Sequence, residues 1–269
     1  MHPGFFAVRK WRLWNYFRDY FPIRLIKTVD LDPTRSYLFG YHPHGIFAVG
    51  AFCSFVTDAA GFSTIFPGLT SYLLTLRCWF FYPYLREVML FGGLSVASRE
   101  NIDSLLQRPE EGTPRTGRAV VVVIGGAQEA LYARPGVVSL VLAKRLGLVK
   151  KSLQHGVPLV PCFAFGENDL FLQEVSAPGS WTRMIQDVLH KITTISFPLL
   201  DGRMIIIPRR APVTVVVGAP VEVEGGPVES PTMEAIQEHH AKYVTALKEL
   251  YEKHKSEYGR GETGQLEIC

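Results

Sequence analysis

Two histidines bracket a proline at His42-Pro43-His44-Gly45, inside a stretch (residues 37–57) that carries no Asp, Glu, Lys or Arg. Pro43 fixes its own φ and pushes His42 towards an extended conformation. Gly45 permits a sharp bend and close approach of backbone to a ligand. Imidazole titrates near neutrality, so either ring can take the proton of an alcohol as it attacks an electrophile. If a helix begins just beyond the turn, its first N–H groups suit an anion or a developing oxyanion. Two rival uses are weaker. A His-x-His pair needs a third zinc ligand, and His2, His155, His190, His239, His240 and His254 offer no such spacing. Cys53 is a poor nucleophile, because an apolar helix raises its thiol pKa.

A second candidate is Gly125-Gly126-Ala127-Gln128-Glu129, directly after the β-branched run Ala119-Val120-Val121-Val122-Val123-Ile124. A carboxylate past two glycines at the end of a central strand lies where open α/β sheets hold ligands. There Glu129 would orient the catalytic imidazole and stabilise its protonated form; the plainer alternative is a charge at a helix start. A third is the basic cluster Lys144-Arg145-Leu146-Gly147-Leu148-Val149-Lys150-Lys151, which suits nucleotide phosphates or a solvated helix face. The catalytic candidates are therefore His42, His44 and Glu129. Pro43, Gly45, Gly125, Gly126, Lys144 and Arg145 are the substrate-binding candidates, and no metal is expected.

These groups need a sheet to hold them. Residues 36–41 read as a strand feeding the histidine turn, and Ile46 onward reads as a buried helix. Residues 108–118 form a Pro/Gly loop before the central run, itself of the kind covered on both faces. Further strands are expected at 137–143, 158–165 and 213–217, with a basic helix at 144–155. After a Gly/Pro linker (222–231), Ser230 reads as the N-cap and Pro231 as the first residue of a helix. Ile236, Tyr243, Leu247 and Leu250 form its apolar stripe. Strands alternating with helices give an α/β fold, a mixed and mainly parallel sheet flanked by helices.

The 269 residues suffice for one such domain. Hydrophobic residues make up 47% and mean hydropathy is slightly positive, apolar for a cytoplasmic enzyme but short of a polytopic membrane protein. A net charge of +3 is too small to indicate nucleic acid and fits an anionic headgroup or substrate. Four scattered cysteines imply no disulfide framework. No signal peptide is visible, and Pro and Gly interrupt both uncharged stretches that approach the length of a membrane span. Residues 1–35, where aromatic and basic side chains alternate, are expected to form a membrane-interface segment, with packing on the domain as the alternative. Residues 36–256 make the main domain and 257–269 a polar, mobile tail.

From about Trp11 onward the chain resembles the diacylglycerol acyltransferase type 2 family, which includes monoacylglycerol and wax-alcohol acyltransferases. The resemblance rests on Arg18-Asp19-Tyr20-Phe21-Pro22, Phe39-Gly40-Tyr41-His42-Pro43-His44-Gly45, Gly61-Phe62-Ser63, Phe66-Pro67-Gly68 and Leu85-Arg86-Glu87. It continues through Ile124-Gly125-Gly126-Ala127, Glu129-Ala130-Leu131, Leu153-Gln154-His155-Gly156 and Phe165-Gly166-Glu167-Asn168. His-Pro-His-Gly is that family's active-site signature. The resemblance implies a glycerolipid-acyltransferase-like fold and esterification of a mono- or diacylglycerol hydroxyl from acyl-CoA. No bound cofactor is implied beyond that co-substrate. It also implies the cytosolic face of the endoplasmic reticulum membrane and lipid droplets; self-association stays open. A wax-ester synthase, or an impaired lipid-surface protein of the same fold, are the alternatives. Family members usually begin with a transmembrane hairpin that this sequence does not contain, and residues 192–212 are shorter than the family's equivalent. The broader glycerolipid acyltransferases place Asp five positions after His. Here those positions hold Phe47 and Val49, which leaves Glu129 as the expected carboxylate.

Overall fold

The computed structural model describes residues 8–107, 116–126, 129, 136, 138–171, 173–174, 199–200, 208–259 and 264–269. Its strands are β1 (Arg24–Lys27), β2 (Tyr37–His42), β3 (Thr70–Thr75), β4 (Leu94–Val96), β5 (Arg118–Val123), β6 (Ser139–Leu140), β7 (Leu159–Phe165), β8 (Gln173–Glu174), β9 (Leu199–Leu200), β10 (Thr214–Val217) and β11 (Glu267–Ile268). Seven of these form one sheet in the order β1-β10-β7-β2-β5-β3-β4. From β7 to β4 every neighbouring pair is parallel; β10 runs antiparallel to β7, and β1 follows β10. The fold is thus a mixed, mainly parallel sheet flanked by helices.

Alternation along the strands divides the core. Phe39, Tyr41, Ala119, Val121, Cys162 and Ala164 face one layer, while Leu38, Val120, Leu159, Phe163 and Phe165 face the other. The first layer holds the helices α1 (Leu13–Tyr20), α2 (Val49–Ala51, continuing as the π-turn Phe52–Val56), α3 (Phe62–Ile65) and α4 (Leu85–Gly92). The second holds α5 (Arg99–Leu106), α6 (Gly147–His155) and α7 (Met233–Tyr258). All six residues of β2 and all seven of β7 are buried, as strands covered on both faces require.

Several expectations need correction. The segment 137–143 contributes only the two residues of β6, which pair with β11 in a separate small sheet. For that reason the end of the chain is not a loose tail. Leu266 is buried, and the Cys269 carbonyl accepts from the Leu142 and Ala143 amides. The boundary at residue 35 does not hold, since β1 lies before it and belongs to the main sheet. The last long helix is capped by Thr232, whose hydroxyl accepts from the Ala235 amide at 3.2 Å; Ser230 and Pro231 precede the cap. The helix after the histidine turn starts at Val49, because residues 45–47 are spent on the turn itself. Most of the 108–118 and 192–212 segments lies outside the described residues.

The first layer also takes in part of the N-terminal segment. Arg9 is buried, and its guanidinium donates to the Phe55 carbonyl at 2.7 Å and to the Ser71 hydroxyl at 2.5 Å. Trp14 and Phe17 set their rings edge-on against Phe52. Packing on the domain therefore accounts for Arg9, Trp14 and Phe17, while Leu13 and Tyr16 stay exposed on the outer side of α1.

Candidate active site

Three adjacent parallel strands deliver the candidate residues to one edge of the sheet. Tyr41 of β2 stands beside Val123 of β5, and His42 beside Phe163 of β7. The chain therefore leaves β2 into His42-Pro43-His44-Gly45, leaves β5 into Gly125-Gly126 and Glu129, and leaves β7 into Gly166-Glu167. Open α/β sheets bind ligands outside these carboxyl ends.

The two histidines sit in different surroundings. His44 is half-buried, and its Nδ1–H donates to the Gly45 carbonyl at 3.0 Å. A carbonyl can only accept, so the proton is on Nδ1 and the basic lone pair is on Nε2. Burial lowers the His44 pKa, which keeps the ring neutral. His42 is fully buried, its Nε2 lies 3.0 Å from the Tyr243 hydroxyl, and Nδ1 has no partner. Burial alone pushes its pKa down to about 3.

Glu129 is buried and meets the turn, but not in the expected way. Its carboxylate accepts from the His44 backbone N–H at 2.5 Å and from the Val141 N–H at 3.0 Å. It grips the backbone of the turn rather than an imidazole, because both oxygens are committed to amides. Desolvation raises its pKa, and these two bonds pull the other way. Gly125 makes this possible, since a Cβ there would lie 2.2 Å from a Glu129 carboxylate oxygen. Gly126 has a φ of +65° and faces open space.

A second carboxylate, which sequence reasoning missed, holds the same turn from the other side. Glu167 is fully buried; it accepts from the Val49 amide at 2.6 Å, from the Gly50 amide at 2.9 Å and from the Tyr41 hydroxyl at 2.8 Å. Burial pushes its pKa up to about 7. Gly45, at a φ of +56°, packs on it so closely that a Cβ would meet the Glu167 Cγ at 2.7 Å. The helix-start amides expected to steady an oxyanion are therefore occupied by Glu167. The only sequence signal for this residue was its place in Phe165-Gly166-Glu167-Asn168, two positions past a strand.

The basic cluster divides. The Arg145 guanidinium lies 3.4 Å from the Gly125 carbonyl and lowers the Glu129 pKa through its charge. Lys151 instead pairs with Asp103 at 2.6 Å in the other layer. Lys144 is exposed. Pro43 is buried within the turn and joined to His42 by a cis peptide bond. Among the described residues no group of three His, Cys, Asp or Glu is placed to hold a metal ion. Burial pushes the Cys53 thiol up to about 11, against a nucleophilic role.

A family model described as diacylglycerol acyltransferase matches residues 5–269. Human acyl-CoA wax alcohol acyltransferase 2 is 43% identical over 270 residues, covering 98% of this chain and 79% of that protein. Diacylglycerol O-acyltransferase 2 of Xenopus tropicalis is 44% identical, covering 97% and 72%. Bovine 2-acylglycerol O-acyltransferase 1 is 44% identical, covering 96% and 77%. Among solved structures, the 1-acyl-sn-glycerophosphate acyltransferase PlsC of Thermotoga maritima aligns with a TM-score of 0.49 at 11% identity, over 90% of this chain and 78% of that one. The chain belongs to the diacylglycerol acyltransferase family of acyl-transferring enzymes.

Proposed function

We propose that the chain esterifies the hydroxyl of a mono- or diacylglycerol with the acyl group of acyl-CoA, using His44 as the general base. The observation that carries this reading is the His44 ring, neutral and half-buried at the sheet edge, with its proton on Nδ1 and its Nε2 lone pair without a hydrogen-bond partner among the described residues. In the reaction Nε2 takes the proton of the acceptor hydroxyl as its oxygen attacks the thioester carbonyl carbon. The C–S bond then breaks and the thiolate of CoA recovers the proton from the imidazolium. No acyl-enzyme forms, in keeping with the inert Cys53. Glu129 and Glu167 hold the turn on either side, and Arg145, beside the Gly125 carbonyl, is the cation for a CoA phosphate. Relatives that act on diacylglycerol and 2-acylglycerol support the acylglycerol acceptor. A fatty alcohol is the second reading, supported by 43% identity to the human wax alcohol enzyme.

We place the activity at the cytosolic face of the endoplasmic reticulum membrane and on lipid droplets. The exposed rings of Phe81 and Tyr84, at 71% and 88%, support a lipid-facing surface. Membranes carrying the protein, given labelled acyl-CoA with monoacylglycerol, diacylglycerol or fatty alcohol in separate assays, test the reading. The native protein is expected to form ester with an acylglycerol. His44→Ala is expected to lower the rate by roughly 10²–10⁴-fold. Ester from fatty alcohol alone would select the wax reading, and a His44→Ala variant at full rate would remove His44 from the mechanism.

A further inference from the structure

The phenol of Tyr243 reaches the histidine turn from a helix 201 residues away in sequence. It lies 3.0 Å from His42 Nε2 and 3.3 Å from the carbonyl of Gly40, within the buried heart of the molecule. Gly40 is the middle of a fully buried strand and has no positive φ, so its backbone does not call for glycine. Space does: a Cβ at position 40 would lie 2.0 Å from the Tyr243 oxygen. A glycine that weakens a central strand is thus matched first to this phenol, with Ile124 Cδ1 next at 2.9 Å. Packing holds that phenol in place, because Ile236, Leu247, Leu250 and Tyr251 bury the same face of α7.

A phenol has one proton and here two neighbours. The Gly40 carbonyl can only accept, so the Tyr243 O–H satisfies it if His42 Nε2–H in turn donates to the phenol oxygen. The reverse arrangement would give the phenol proton to Nε2 and place an N–H on Nδ1, which is buried with no acceptor. An orphaned buried N–H is rarer than an under-satisfied acceptor, so the first arrangement is favoured.

We infer that Tyr243 is a positioning residue for acyl transfer: its phenol fixes His42 as the Nε2–H tautomer and leaves the Nδ1 lone pair at the base of the turn. His44 has the opposite tautomer, fixed by Gly45. The two rings of the signature thus present lone pairs from different nitrogens, each set by a separate backbone-anchored bond. The catalytic part of this inference rests on the acyl-transfer reading above; the tautomer part does not.

The test is ¹⁵N NMR of the full chain, purified in detergent with ¹⁵N-labelled histidine, near neutral pH and without substrate. His42 signals are assigned by their loss in His42→Gln. The native protein is expected to show His42 neutral and protonated on Nε2. In Tyr243→Phe, which keeps the ring and its packing, the His42 tautomer is expected to become mixed. In that variant kcat is expected to fall about tenfold or more, with KM for acyl-CoA within twofold and Tm nearly unchanged. An Nδ1–H tautomer in the native protein overturns the inference, and so does a Tyr243→Phe variant with kcat within twofold of native. Should Tyr243→Phe fail to fold, the native tautomer still decides. Absence of ester from the native protein with every acceptor defeats the acyl-transfer reading while leaving the NMR result standing.

Discussion

His42 and His44 stand one residue apart and differ in nearly everything that matters to a base. His44 is half-buried with its lone pair on Nε2, while His42 is sealed and hydrogen-bonded to Tyr243. Burial depresses both, so both are neutral at physiological pH. For His44, the base proposed above, this has a sign that can be measured. Protonation of His44 destroys its lone pair, and its pKa in the protein lies below the ordinary 6.5. The acid limb of the rate should therefore be centred below 6.5. Initial rates of ester formation across pH 5–8.5, at saturating acyl-CoA, check this. An acid limb centred at or above 6.5 would mean that the titrating base is not this buried ring.

At the scale of elements, Glu167 is the joint. It follows β7, receives the Tyr41 hydroxyl of β2, and closes the first amides of α2. Its pKa of about 7 exceeds the ordinary 4.5. A folded-state pKa above the unfolded one means stability that is fully present below 4.5 and lost as pH rises through about 7. The loss is at most about 1.4 kcal/mol per pH unit within that window. The melting midpoint in detergent should thus fall between pH 5 and 7.5 in the native protein. Glu167→Gln should flatten that slope while lowering the midpoint overall, because an amide cannot serve both helix N–H groups. An unaltered slope in the variant would assign the titration elsewhere. This joint was not legible in the sequence, whereas the strands at its two ends were. Continuous β-branched and apolar runs revealed β2, β5, β7 and β10, because burial on both faces leaves its mark locally. Glu167 has partners 117 to 126 residues away, and nothing near it records them. Glu129 could be placed beside the turn from its strand end. Its choice of the His44 amide over the imidazole depended on Val141 closing the other oxygen, a contact no spacing reveals.

At the scale of the molecule, exposed apolar side chains gather on one layer. Trp11, Leu13 and Tyr16 lie at or beside α1, while Phe81, Tyr82, Tyr84, Leu85, Val88 and Leu90 lie along the 3₁₀ turn Arg77–Phe81 and α4. Both stretches belong to the layer that packs Phe17, Phe52, Phe80 and Met89 against the sheet. The opposite layer is dominated at its surface by charge, with Lys151 paired to Asp103 and Lys242 to Glu238. No described helix is long and apolar enough to cross a membrane. Association through this face would come from side chains that enter the interface, where aromatic rings are favoured and Arg77 and Arg86 can meet phosphates. If the lipid surface proposed above lies here, Phe81→Ser with Tyr84→Ser should weaken binding to phosphatidylcholine–phosphatidylserine vesicles by about tenfold per residue. Met233→Ser with Val228→Ser, also exposed but on the charged layer, should change it by less than twofold. Vesicle flotation of the full chain and both double variants, at fixed salt, separates the outcomes. Equal losses in the two variants would mean that adhesion follows overall hydrophobicity, and no loss in the first would assign the lipid contact to another face.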